Sequence, residues 1–164
     1  MDIVLSIFGI IVMAIPMIII SIAIKLNSKG PVLFRQVRVG KDGELFKINK
    51  FRTMITDAEK KGMQITVGKD NRITSVGHIL RKTKLDEFPQ LFNVLFGEMS
   101  FVGPRPEVPK YVDLYDDYQK NVLKVKPGIT DLASIEYRDE SSILGQSSDP
   151  EKSYVEEVLP EKLK

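Results

Sequence analysis

Cysteine is absent from the 164 residues, which removes disulfides, thiolate metal sites and cysteine nucleophiles and fits a reducing compartment. Histidine occurs once, at His78, so a histidine-based triad and a multi-histidine metal site are excluded as well. No glycine-rich phosphate loop of the Walker or dinucleotide type is present, and ATPase and Rossmann chemistry lose their motif. None of the 24 Lys and Arg residues precedes Lys25, and no charge of either sign falls between Ile3 and Ile24. The chain has no internal repeat and no low-complexity tract.

The uncharged stretch IVLSIFGIIVMAIPMIIISIAI is 22 residues long. At about 1.5 Å per residue a helix of this length crosses the hydrocarbon core of a bilayer. Its positive residues follow the apolar run instead of preceding it, which argues against a cleaved secretory signal. Pro16, near the centre, removes one backbone donor and predicts a kink or break. Two topologies are compatible with it: a span with the N-terminus outside, or a helix that bends at Pro16 and turns back, with both ends on the cytoplasmic face. In the second, carbonyls freed near Val12 need partners, and Ser6 and Ser21 are the only polar side chains in the run.

Charge is sorted along the remainder. Residues 25–52 carry eight bases against two acids, and residues 107–164 thirteen acids against eight bases. A basic block after an apolar segment reads as membrane-proximal and cytoplasmic, because anionic lipid attracts it and translocation disfavours it. With 43% hydrophobic residues, the chain supports a membrane-embedded segment at 1–24 and one domain at 25–164.

Turn signals around short apolar runs predict a β-hairpin with Asp42-Gly43 in its turn. Short helices are expected from Thr53 to Lys61, stopped by Gly62, and from Ser75 to Arg81. Leu85, Phe88, Leu91, Phe92, Leu95 and Phe96 recur at three- and four-residue spacing, predicting a helix from Leu85 to Gly97 with Pro89 in its first turn. A stiff Gly103-Pro104-Arg105-Pro106 loop, a polar helix around Glu107 to Leu123, a turn at Lys126-Pro127-Gly128 and a polar surface loop over 138–153 complete the reading. The expected fold class is α+β and mainly helical.

Asp86 and Glu87 follow three cations, Arg81, Lys82 and Lys84, at the predicted N-terminus of a helix. There the helix dipole and orphan N–H groups stabilise anions, so Asp86 is expected to be ionised and a bound phosphate would share the field. A carboxylate in this place can act as a nucleophile toward phosphorus, and its neighbour can hold Mg²⁺. The competing reading is a capping box of Thr83 with Asp86, which puts Pro89 inside the helix at a cost of about 3 kcal/mol. Arg105, fixed between two prolines, suits bidentate phosphate recognition or else is an incidental arginine in a surface turn. Arg52 and Arg81 are further phosphate candidates, against the reading that each merely faces solvent.

Taken in order, five motifs resemble those of the bacterial sugar transferase family, the monotopic phosphoglycosyl transferases that start glycan assembly on undecaprenyl phosphate. They are Gly30-Pro31-Val32 with Gln36, Lys50-Phe51-Arg52-Thr53-Met54, Leu85-Asp86-Glu87 with Pro89-Gln90-Leu91-Phe92-Asn93-Val94, Met99 to Pro106, and Lys126-Pro127-Gly128-Ile129-Thr130. The resemblance implies a two-step exchange on the cytoplasmic face of the bacterial inner membrane, with Asp86 as nucleophile on a UDP-sugar, release of UMP, and attack by undecaprenyl phosphate on an aspartyl phosphosugar. It implies Mg²⁺ at Glu87 beside Asp86, phosphate contacts from Arg105, Arg52 and Arg81, a re-entrant helix broken at Pro16, interfacial helices, and no nucleic-acid partner. The sequence departs from the family in four places. Ile15 stands where many members have Ser, and Asp131-Leu132-Ala133-Ser134 replaces the usual Gly-Trp-Ala-Gln. Basic residues before the membrane segment and apolar C-terminal helices have no counterpart between Met1 and Lys164, as expected of a trimmed or short member. A catalytically silent membrane-anchored adaptor and a nucleotide-sugar phosphohydrolase are the alternative functions.

Overall fold

Helix α1 (Asp2–Asn27) takes up the whole apolar run. It belongs to a computed structural model that describes residues 1–58, 66, 70–137 and 143–163. Its 26 residues extend roughly 39 Å, and among the described residues it is the one helix long and apolar enough to cross a membrane. The sequence predicted a kink or break at Pro16, and helical structure continues through it without a break. The two serines do not serve Val12: Ser6 Oγ donates to Ile3 O at 2.8 Å and Ser21 Oγ to Met17 O at 2.6 Å. Both halves of the helix rest on the domain that follows. Gly9 faces Leu91, and Ile24, Met17 and Ile20 pack with Phe51 and Leu80, leaving Ile11, Ile15, Ile18, Ile19 and Ile22 outward.

Strands β1 (Leu33–Val39) and β2 (Leu45–Phe51) form the expected antiparallel hairpin, with Leu33 opposite Phe51 and Val39 opposite Leu45. Its turn is a 3₁₀ turn, Lys41–Gly43, in which Asp42 and Gly43 take the left-handed φ of +55° and +83°. Phe46 and Ile48 of β2 pack inward against Val94 and Met99.

The helix expected from Thr53 does not start there. Met54 pairs with Ile73 in an antiparallel bridge, Thr53 O accepts from Thr74 N, and Ile55 N donates to Arg72 O, so these backbone groups are engaged across the chain. The end of that expectation, residues 59–62, lies outside the described residues. Helix α2 (Ser75–Thr83) forms as expected, capped by Thr74 Oγ1, which accepts from Gly77 N at 3.0 Å.

The single helix expected over 85–97 is divided. Leu85–Glu87 is a 3₁₀ turn that starts after Lys84 in the left-handed region, and helix α3 is Gln90–Leu95 with Pro89 as its cap. Proline has no N–H to give to Leu85 O, and that carbonyl accepts from Phe88 N instead. Asn93, fully buried, ties α3 to the hairpin: its Oδ1 accepts from Asn49 N and Nδ2, and its Nδ2 donates to Lys47 O and Glu98 Oε2. Asn93→Ala leaves those partners unmatched and is expected to destabilise the protein by about 2–4 kcal/mol, read as a lower midpoint in thermal or denaturant unfolding.

A second, parallel pair that periodicity did not reveal joins β3 (Ser100–Val102) to β4 (Gly128–Thr130). Each is three residues long, too short for an alternation to register. The long polar helix expected from Glu107 is replaced by α4 (Pro109–Val112) and a 3₁₀ helix, Gln119–Lys124. Between them Asp116 Oδ1 accepts from Gln119 N at 2.7 Å, starting the chain afresh. Helix α5 (Leu132–Glu136) follows β4.

Of the surface loop expected over 138–153, residues 138–142 lie outside the described residues, while Pro150–Ser153 is helix α6, capped by Asp149. It continues through a π-helical turn, Tyr154–Val158, into α7 (Leu159–Lys162). Tyr154, Val158 and Leu159 form a core with Val108, Tyr111, Tyr115 and Leu144.

Candidate active site

The 3₁₀ turn Leu85–Glu87 sends its two carboxylates into different surroundings. Asp86 is 8% exposed and its Oδ1 is buried without a hydrogen-bond partner. Burial raises its pKa above the ordinary aspartate value, the nearby Glu87 charge adds to the rise, and Lys50, Arg81 and Lys84 oppose it. Glu87 accepts at one oxygen, Oε1, from Lys50 Nζ and from Arg105 Nη2, both at 2.9 Å. Burial works to raise its pKa too, but those two charges and their hydrogen bonds outweigh it and hold Glu87 well below the usual carboxylate range. Adjacent residues are thereby set apart: Glu87 is neutralised by ion pairs, and Asp86 keeps an oxygen that no group among the described residues satisfies.

Lys50 is the site residue that the sequence motifs contained without singling it out. Its signal was strand parity, since it shares with Phe46 and Ile48 the face of β2 that packs inward. Burial is the main reason its pKa is lowered to about 8, with the Arg105 charge adding to the fall and Glu87 and Asp86 opposing it.

Asp86 opens into a cleft of about 570 Å³ whose walls carry Arg35, Arg38, Lys50, Arg52, Arg72 and Arg81 against Asp57 and Asp86 among the described residues. That volume suits a nucleotide-sized ligand, and the excess of cations favours an anionic one. Of the residues singled out from sequence, Asp86 and Arg81 line the cleft, Glu87 meets it through Lys50, and Arg105 reaches Glu87 from the loop between β3 and α4. Arg105 is aimed by its backbone, whose N–H donates to Asp131 Oδ2 at 3.0 Å. Arg81 Nη2 donates to Thr66 Oγ1 at 2.9 Å.

Arg52 also lines the cleft, yet its guanidinium is directed to the end of α1: Nη1 donates to Lys29 O at 2.6 Å, and Nη2 to Ser28 O and Oγ at 2.8 and 2.9 Å. It acts as a clamp between α1 and β2. Pro16, within α1, lies outside the cleft.

No group of three or more His, Cys, Asp or Glu that could hold a metal occurs among the described residues. Mg²⁺ does not need one, because it takes one or two carboxylates and completes its shell with water and phosphate oxygens. The unsatisfied Asp86 Oδ1 beside the Glu87 carboxylate fits that requirement.

A family model described as bacterial sugar transferase matches residues 1–159. Among curated proteins, the chain is 46% identical over 148 residues to a UDP-glucose:undecaprenyl-phosphate glucose-1-phosphate transferase of Klebsiella pneumoniae, covering 87% of this chain and 32% of that protein. It is 42% identical over 139 residues to a UDP-N-acetylgalactosamine-undecaprenyl-phosphate N-acetylgalactosaminephosphotransferase of Aeromonas hydrophila, covering 82% and 33%. The exopolysaccharide production protein PSS of Rhizobium leguminosarum bv. phaseoli is 42% identical over 142 residues, with 82% and 70% covered. The chain thus spans about a third of the length of the first two relatives.

Proposed function

Because the chain belongs to the bacterial sugar transferase family, we propose that it transfers a sugar 1-phosphate from a UDP-sugar to undecaprenyl phosphate, as the first membrane step of glycan assembly. The observation that carries this reading is the pairing at one turn of a buried, unsatisfied Asp86 oxygen with a neutralised Glu87, at the wall of a basic cleft. In the first step an Asp86 oxygen attacks the sugar-proximal phosphorus, the bond to the bridging oxygen breaks, and UMP leaves with that oxygen. In the second, an oxygen of undecaprenyl phosphate attacks the same phosphorus and releases the Asp86 carboxylate. Asp86 and Glu87 would hold Mg²⁺, which when bound supplies charge neutralisation of the diphosphate. Lys50 and Arg105 fix the Glu87 carboxylate, and Arg81, from the cleft wall, with Arg105, from beside Glu87, would meet the developing phosphate charge.

The same reading favours the turned-back topology of α1, which requires a bend at Pro16 within its continuous helix. The outward isoleucines enter lipid while the basic residues from Lys25 onward stay at the cytoplasmic face of the bacterial inner membrane. Docking of both halves of α1 on α2 and α3 supports it, since those helices belong to the domain that meets a water-borne donor.

The test is UMP release by the protein in nanodiscs with Mg²⁺, a panel of UDP-sugars and undecaprenyl phosphate. Release that depends on the lipid is expected; equal release without lipid replaces the transfer with hydrolysis, and inertness toward every donor leaves an adaptor.

The charge on Lys50 gives a pH dependence. With its pKa lowered to about 8, Lys50 is charged below that pH and loses its hold on Glu87 above it, so turnover is expected to fall as pH rises through about 8. Stability moves the other way for this group: between about 8 and 10.5 the unfolded chain binds the proton that the folded chain has lost, and stability rises with pH there. A pH–rate profile measured beside thermal unfolding separates the two effects. Lys50→Arg is expected to move the alkaline limb out of this range, and a limb that stays at pH 8 in that variant removes Lys50 from the explanation.

A further inference from the structure

The cleft beside Asp86 is not uniform along β1. Pro31, Leu33 and Phe34 line it near the end of α1, whereas Arg35, Gln36 and Arg38 line it farther along the strand. From Leu33 to Arg38 is roughly 17 Å at the rise of an extended strand, so the wall passes from apolar to basic over the length of a small ligand. Met54 and Ile55 line the same cleft, adding to its apolar surface.

The apolar end is joined to the membrane helix. Leu33 packs against the cluster of Ile24, Phe51 and Leu80 that also receives Met17 and Ile20 of α1, and Leu33 and Phe51 both line the cleft. An apolar seam therefore runs from the face of α1 to within the cavity that holds Asp86. The cations on that side have their own partners: Arg52 is turned to the Ser28 and Lys29 carbonyls and Arg72 to Asp70. Of the two substrates the lipid phosphate alone carries an extended apolar chain, and it must bring its head to the same phosphorus and lead its tail out toward the bilayer.

We propose that the apolar end of the cleft, Leu33 and Phe34 with Met54 and Ile55, receives the first isoprene units of a polyprenyl phosphate, while the basic end takes the nucleotide diphosphate. The inference rests on the transferase reading above. Ile55 is the residue on which to test it, being 37% exposed and outside the core clusters. Its backbone N–H is bound to Arg72 O whatever its side chain.

The experiment uses the full chain in nanodiscs and reads two quantities: isotope exchange between UMP and the UDP-sugar without lipid, and initial rates over a series of undecaprenyl phosphate concentrations. In Ile55→Asn the KM for the lipid is expected to rise about tenfold more than the KM for the donor, and Ile55→Leu to restore it. Leu45→Asn, an equally apolar and 63% exposed position at the far end of the hairpin, is expected to move neither constant. A lipid KM that is unchanged in both Ile55→Asn and Phe34→Ser, or donor and lipid constants that rise together, overturns the assignment of the apolar end. Absence of any exchange in the unaltered protein instead overturns the covalent first step, so the two failures are told apart.

Discussion

Asp86→Asn is expected to lower UMP formation by about a thousandfold or more while leaving the fold intact and its thermal midpoint unchanged or higher. The amide has the size of the carboxylate but no oxygen that can form and later release an acyl phosphate. Its effect on stability follows from the sign of the pKa shift. Burial raises Asp86 above the ordinary aspartate value, so the folded chain holds the charged form at a cost that the unfolded chain does not bear. Above the folded pKa this group subtracts stability, and a neutral side chain of the same shape relieves the loss. Activity and stability should therefore part company, which a generally damaging substitution would not produce. UMP release and thermal unfolding measured on one preparation give both numbers. Near-normal turnover in Asp86→Asn would mean that the nucleophile lies elsewhere, and lost turnover with a collapsed midpoint would reduce Asp86 to a structural residue.

The contrast between Asp86 and Glu87 shows where the sequence could be read and where it could not. Their place after Arg81, Lys82 and Lys84 drew notice because like charges grouped along a chain are visible without a fold. That they lie in a 3₁₀ turn instead of the first turn of a long helix was not visible, because the division depends on Lys84 taking a left-handed conformation and on Leu85 O turning to Phe88 N. The pairing of Glu87 with Lys50 and Arg105 joins residues 37 and 18 positions apart, and no local pattern encodes such a distance. Lys50 alone left a trace, a lysine on the inward face of an alternating strand. Arg52 ran the other way: its type and motif suggested a ligand contact, and its geometry makes it a clamp on α1.

The hairpin and α2 were legible because their signals are local: a left-handed Asp-Gly turn, and a threonine three residues ahead of the amide it caps. The β3–β4 pair and the C-terminal helices were not. β3 and β4 rely on close backbone approach, with Gly128 so near Gly103 that a Cβ would lie 2.1 Å from Gly103 N. The helices from Pro150 to Lys162 are held by Tyr154, whose hydroxyl donates to the buried Glu107 at 2.5 Å. In one dimension Tyr154 stands among acids just beyond the loop expected over 138–153, and nothing local marks it as an anchor; its partner is 47 residues away.

The second large effect is expected at Gly30, and it concerns the joint between α1 and the cleft. Gly30 has φ +124°, a conformation that side chains strongly disfavour, and a Cβ there would lie 2.0 Å from Arg52 Nη1 and 2.5 Å from Thr56 Cγ2. Arg52 is 5% exposed and has little room to retreat. Gly30→Ala must move either the backbone after α1 or the guanidinium. Moving the guanidinium breaks its bonds to Lys29 O, Ser28 O and Ser28 Oγ and leaves a buried charge beside carbonyls it no longer meets. A loss of about 3 kcal/mol or more is expected, corresponding to a fall in Tm of roughly 6–12 °C for a chain of this size. Arg52→Lys is the informative companion, because it keeps the charge but has no planar fork to reach both residues at once. If the clamp is what Gly30 makes room for, Gly30→Ala costs much less in the Arg52→Lys background than alone, a coupling that a double-mutant cycle measures directly. Additive losses would mean that backbone strain at φ +124° and the Thr56 contact account for the Gly30→Ala effect, and that Gly30 does not act through the arginine.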